Sequence, residues 1–157
     1  MNNNHPGNRK KGVDVMNVKA YLQQIKVLDT KIKQKEEQIE YLKEAAGGAG
    51  AIRYDKDKVQ TSCSDSKLES MIIQYMTLEQ EVQEEKLKFE QARQKIINQI
   101  HELNDDRYIN VLFKRYVEYK SYELIAVELS YSFDYVKELH RDSLDAFKIK
   151  HPTLSHL

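Results

Sequence analysis

Residues 122–141 read YELIAVELSYSFDYVKELHR. Leu124, Ile125 and Leu129 predict a short helix over about 121–129. Ser130, Tyr131 and Ser132 break it. Ser132 is a good N-cap for a second helix, and Asp134 falls in that helix's first turn, where the dipole favours an anion. Val136, Leu139, Ser143 and Phe147 then share one face. Two helices separated by three residues must cross steeply, and Ala126 is small enough to let their backbones approach. Those are the physical requirements of a helix-turn-helix.

Upstream, Asn104, Asp105 and Asp106 interrupt the pattern and offer an N-cap to a helix over 106–116. Six of the ten tyrosines fall in this part of the chain: Tyr108, Tyr116, Tyr119, Tyr122, Tyr131 and Tyr135. Phe113, Phe133 and Phe147 join them. Aromatics at this density predict a small, tightly packed domain over 104–150. His151 and Pro152 end its last helix, and 151–157 reads as a frayed tail.

The rest of the chain has a different pattern. Residues 15–46 contain neither Pro nor Gly, and apolar or aromatic residues fall at Val18, Tyr21, Ile25, Leu28, Ile32, Ile39 and Leu42. That is a heptad seam with Lys35 in one skipped slot. At 1.5 Å per residue the helix is about 48 Å long and needs a partner for its stripe. Gly47, Gly48 and Gly50 are expected to stop it. A polar loop at 47–65 follows, with Ser64, Asp65 or Ser66 as candidate caps for the next helix, over about 66–103. That helix carries a second stripe at Met71, Tyr75, Leu78, Val82, Phe89, Ala92, Ile96 and Leu103, with Glu85 and Gln99 in its skipped slots. Two such helices read as an antiparallel coiled-coil hairpin, or as helices that pair with copies of themselves in a dimer. The expected fold is therefore all-α: a disordered tail at 1–14, a long helical hairpin over 15–103, then the small helix-turn-helix domain.

Composition fits this and removes several function classes. The 157 residues carry 25 basic and 25 acidic groups, with no Trp and one Cys. A single cysteine, Cys63, allows no internal disulfide and points to a reducing compartment. There is no run of about eighteen apolar residues for a membrane span, and no apolar segment near the start for a secretory signal. Residues 1–46 have a net charge of +3, 67–103 of −2 and 104–157 of −1. Composition alone thus gives no argument for nucleic-acid binding; pattern has to supply it.

The pattern does so through a resemblance. Residues 122–141 resemble the helix-turn-helix of region 4 of bacterial sigma factors. In that motif an alanine sits four residues after the start of the unit, here Ala126, and apolar positions match at Ile125, Leu129, Tyr131, Val136 and Leu139. The preceding helix, within RYINVLFKRYVEYKSYELIA (107–126), is similar to that region's opening helix. The turn holds Ser130 where the motif usually has glycine. Over about 16–148 the chain resembles a family of small proteins from phages and prophages of Gram-positive bacteria. That family has a long helical N-terminal part, a loop like KVQTS (58–62) and a sigma-like C-terminal unit. Its members are described as phage transcriptional regulators related to late-gene activators.

The resemblance implies a cytoplasmic, non-enzymatic, sequence-specific DNA-binding regulator of phage or prophage genes, of activator type, with no cofactor. By matching positions, the DNA-facing surface is Ser132, Phe133, Asp134, Lys137, Glu138 and Arg141, with Tyr135 and His140 at its edges. Ser121 and Tyr122 start the first helix, where a phosphate can dock. Lys137 and Arg141 lie one turn apart and can donate to a guanine edge or to phosphates. Asp134 and Glu138 can accept from cytosine N4 but repel phosphates. On any helix these four are also ordinary solvated charges. Residues 133–148 hold three basic side chains against four acidic ones, a net charge of −1. Phosphate neutralisation is correspondingly small, so affinity has to come from dimerisation through the arm or from RNA polymerase holding the unit near a promoter.

Other signals carry less. His101 and Glu102 lack the second histidine of a zinc-protease helix, and the remaining histidines lack ligand spacing. Cys63 reads as a surface thiol. The glycines at 47–50 lack the Gly-Lys-Ser/Thr of a phosphate loop. Two rivals remain to DNA-reading regulation: a coiled-coil scaffold whose helix-turn-helix docks a protein, and a DNA-recognition subunit of phage genome packaging, which requires a closed ring.

Overall fold

A computed structural model describes residues 17–51 and 62–154. Every regular element among them is helical: α1 (Val18–Ala51), α2 (Ser62–His101), α3 (Asp106–Leu112), a π-helical turn (Phe113–Val117), α4 (Tyr122–Leu129) and α5 (Phe133–Lys150). No described helix is long and apolar enough to cross a membrane. The tail expected at 1–14, most of the expected loop with 58–61 of its KVQTS stretch, and 155–157 lie outside the described residues, as does the Cys63 side chain.

Two expected boundaries are corrected. α1 does not stop at the glycines but runs through Gly47, Gly48 and Gly50 to Ala51. Glycine in a helix costs about 1 kcal/mol relative to alanine, yet leaves helical angles open. Here it is interleaved with Ala45, Ala46, Ala49 and Ala51, the best of helix formers. α2 starts at Ser62, so Ser64, Asp65 and Ser66 lie inside it rather than at its cap.

The chain divides into two compact units. One comprises residues 25–95 of the two long helices. Lys35 Nζ reaches Glu85 Oε1 at 2.7 Å and Glu81 Oε2 at 3.0 Å. Lys43 meets Glu79 at 2.6 Å, and Lys86 meets Glu36 at 2.7 Å. Later residues of α1 thus meet earlier residues of α2, so the helices run antiparallel. Ile32, Ile39 and Val82 are buried between them, with Leu78 and Phe89 packed on top. The skipped slots of the two stripes, Lys35 and Glu85, face one another as an ion pair. A lysine at a seam position thereby keeps a partner for its charge.

The other unit combines 17–24 and 96–154. It takes in more than the expected 104–150. Tyr21 donates its hydroxyl to Gln99 Oε1 at 2.7 Å, which satisfies the other polar slot of the α2 stripe, and its ring lies 6.4 Å from that of Phe147. Leu22 and Ile100, outside the heptad stripes, are fully buried here. The expected tail is partly structural: the His151 ring lies 4.7 Å from Phe147, and Leu154 is buried.

Caps place the short helices. The Asp105 carboxylate accepts from the Arg107 backbone N–H and starts α3. Ser121 and Ser132 accept from the backbone N–H groups of Leu124 and Tyr135 and start α4 and α5. Each such cap stabilises its helix by about 1 kcal/mol. Val111, Ile125, Ala126, Val136 and Leu139 form one buried cluster from α3, α4 and α5, with Tyr108, Tyr122, Leu129, Tyr131 and Tyr135 against it.

Candidate nucleic-acid interface

α4 and α5 are joined by Ser130, Tyr131 and Ser132. Ser130 ends α4 in the left-handed region, at φ 56° and ψ 41°. Its N–H and that of Tyr131 bond back to the last turn, Tyr131 N to the Ala126 carbonyl at 2.9 Å. This is the reversal that glycine makes without steric cost; serine holds it against a penalty of about 1–2 kcal/mol. Ala126 is buried in the cluster beneath.

The outward side of α5 brings together Phe133, Asp134, Lys137, Glu138 and Arg141, all exposed. The Lys137 ammonium sits 5.3 Å from the Phe133 ring centroid. Arg141 contacts Glu138 at 3.8 Å and Asp142 at 3.3 Å. Both pairs are solvent-exposed, so they are weak and readily exchanged for a phosphate or a base edge.

The remaining expected site residues are placed differently. His140 is not at the edge of this surface but is 7 % exposed. Its Nε2 lies 2.9 Å from the Tyr116 hydroxyl and its Nδ1 3.2 Å from the Tyr122 hydroxyl. Burial pushes its pKa down to about 4, with the charges of Arg115 and Lys19 acting in the same direction, so the ring is neutral. In a neutral imidazole one nitrogen donates and the other accepts, which fixes opposite roles for the two tyrosine hydroxyls. Position 140 falls on the α5 stripe 136, 139, 140, 143, 147; reading the stripe at full width would have found it.

Tyr122 also turns inward. The Arg115 guanidinium covers its ring at 4.5 Å, and Phe133 meets it edge-on at 6.5 Å. Tyr135 is half-buried, edge-on to Tyr131 at 5.1 Å, and its hydroxyl accepts from Arg107 at 3.2 Å. Ser121 and Ser132 are exposed but occupied as caps. At the α4 N-terminus the Glu123 carboxylate is held below the usual range by its own backbone N–H and by the Ser121 hydroxyl. A phosphate docking there would meet that carboxylate, which weakens the sequence expectation at Ser121 and Tyr122.

Residues outside the expected set organise the site. The π-helical turn widens the end of α3 and closes with Glu118 N on the Phe113 carbonyl at 3.1 Å. It supplies Arg115 to Tyr122 and Tyr116 to His140. Arg115 also donates to the Lys120 carbonyl at 2.7 Å, next to Tyr119 at φ 58°. Nothing in the helical periodicity signals a π turn. Lys114 and Lys120 both reach Glu128, at 2.6 and 2.7 Å. Glu118 lies 2.9 Å from Lys120 and 3.8 Å from Lys114, so two carboxylates neutralise these two cations within the fold. No cluster of three metal-ligating side chains exists among the described residues. No family model matches the chain, and neither a curated protein nor a solved structure does.

Proposed function

We propose that this chain is a sequence-specific DNA-binding transcription regulator of phage or prophage genes, of activator type and with no catalytic step. In this reading α4 and α5 form a helix-turn-helix, and α5 enters the major groove with Phe133, Lys137, Glu138 and Arg141 outward. The antiparallel long helices form a coiled-coil arm for self-association or RNA polymerase contact. One observation carries it: a three-residue turn with left-handed Ser130 joins two capped helices whose inner residues, Ile125, Ala126, Val136 and Leu139, are all buried. That leaves one face of α5 outward, with two cations one turn apart.

The net charge of −1 over 133–148 sets the expected energetics. Few phosphates are neutralised, so one copy binds weakly, and two tethered copies or a polymerase-held copy bind far better. The test is recovery of duplexes from a random-sequence library by the full chain at moderate salt. Recovery of one common site, abolished by Lys137→Ala with Arg141→Ala while helicity is unchanged, supports the reading. Unchanged affinity in that double variant removes this face from the interface.

A second reading is favoured by exposed apolar side chains on and beside α4: Leu124 at 46 %, Val127 at 76 % and Phe133 at 40 %. They suit a protein partner. Salt separates the two, because phosphate binding weakens steeply with ionic strength and apolar docking does not.

A further inference from the structure

We infer that Phe133 reads the 5-methyl group of a thymine and so sets the base preference at one position of the bound site; this rests on the DNA-binding reading above. Phe133 is 40 % exposed, although the same helix buries Val136 and Leu139 completely or nearly so. A phenyl ring left in water returns little to folding. Its ring nevertheless has two neighbours. Tyr122 meets it edge-on, with the planes at 79°, and the Lys137 ammonium covers it at 5.3 Å. Tyr122 is itself held by its bond to His140 and by the Arg115 guanidinium. The result is an apolar surface beside a cation, with two contacts that narrow the side-chain freedom to be lost on binding.

Its position along the helix selects the ligand group. Phe133, Lys137 and Arg141 are spaced by four residues and line one side of α5 over about 12 Å. When a recognition helix enters the major groove, its first residues come closest to the base edges. Phe133 is then deepest, Lys137 follows one turn back, and Arg141 is nearest the phosphates. Among the substituents that base pairs present in that groove, only the thymine methyl is apolar. A carbonyl, an amino group or N7 set against phenyl would lose a hydrogen bond to water without replacement.

The experiment uses the full chain and a duplex recovered from the random library. Each thymine is replaced in turn by deoxyuridine, which removes only the methyl. Binding is expected to weaken about three- to tenfold at one thymine, the effect of one lost methyl contact. Phe133→Ala is expected to bind the thymine and deoxyuridine duplexes equally. Phe133→Gln, a good helix former with a polar end, is expected to recover sites that lack a preferred thymine at that position and match elsewhere. Wild-type binding indifferent to every deoxyuridine overturns the inference and leaves the DNA-binding reading standing. So does recovery of the same thymine by Phe133→Gln. Recovery of no duplex by the wild-type chain, alone and with RNA polymerase added, overturns both.

Discussion

Lowering the pH from 7 to 5 is expected to destabilise the unit that contains α5, through His140. Its pKa is about 4 in the fold, against an ordinary 6.5 in the unfolded chain. Between those values the unfolded state binds a proton that the folded state refuses. Stability is therefore full above pH 6.5 and falls as the pH drops toward 4. Integrated from pH 7 to 5, the loss is on the order of 2 kcal/mol. With a urea slope of about 1–3 kcal/mol per molar, the midpoint moves down by about 1 M. Asp105 and Glu128, lowered from the ordinary carboxylate range by their basic partners, lie below this window. The assay is urea unfolding at pH 5 and 7, followed by the near-UV tyrosine signal. His140→Gln is the control, because an amide keeps a donor and an acceptor between the two tyrosine hydroxyls without an ionisable group. Its midpoint is expected to lose much less on acidification. An equal loss in both proteins would falsify the assignment of the effect to His140.

Four further outcomes follow from the packing. Ser130→Gly removes the left-handed penalty and is expected to stabilise the chain by up to about 1 kcal/mol after glycine's own entropy cost, read as a rise in Tm. Ala126→Leu overfills the α4–α5 crossing and is expected to cost about 1–3 kcal/mol in urea unfolding. Val136→Ala removes a fully buried side chain from the same cluster and is expected to cost about 1–3 kcal/mol, with the α5 surface otherwise retained. Lys35→Leu combined with Glu85→Leu completes the seam of the long helices and is expected to raise their melting temperature, whereas Lys35→Leu alone takes the cation from both Glu85 and Glu81 and lowers it.

The short helices were legible because their signals are local. Asp105, Ser121 and Ser132 are side chains that favour caps, and each stands one residue before a helix. The seam positions Tyr21, Ile25, Ile32, Ile39, Val82 and Ile96 are buried as their period requires. What escaped depends on tertiary context. The end of α1 turned on whether alanines outweigh interleaved glycines, and they do. The burial of Leu22 and Ile100 follows from a unit in which the ends of the long helices join the aromatic residues of 104–154. His140 was expected at an edge because matching positions of the resembling motif put it beside the outward face; two tyrosine hydroxyls arriving from the π turn and from α4 make it an interior group. Of the ten expected site residues, the outward group of α5 shares one surface, whereas Tyr122 and His140 hold that surface from within.

The proposed function requires the outward face of α5 to read the major groove. Methylation interference tests it most directly. A recovered duplex is lightly methylated at guanine N7, which projects into the major groove, or at adenine N3, which lies in the minor groove, and bound and free fractions are compared. N7 methylation at specific guanines is expected to exclude duplexes from the bound fraction, and Lys137→Ala, with Arg141 kept for residual affinity, is expected to lose the exclusion at one of them. Binding blocked only by N3 methylation, or by neither, would contradict it.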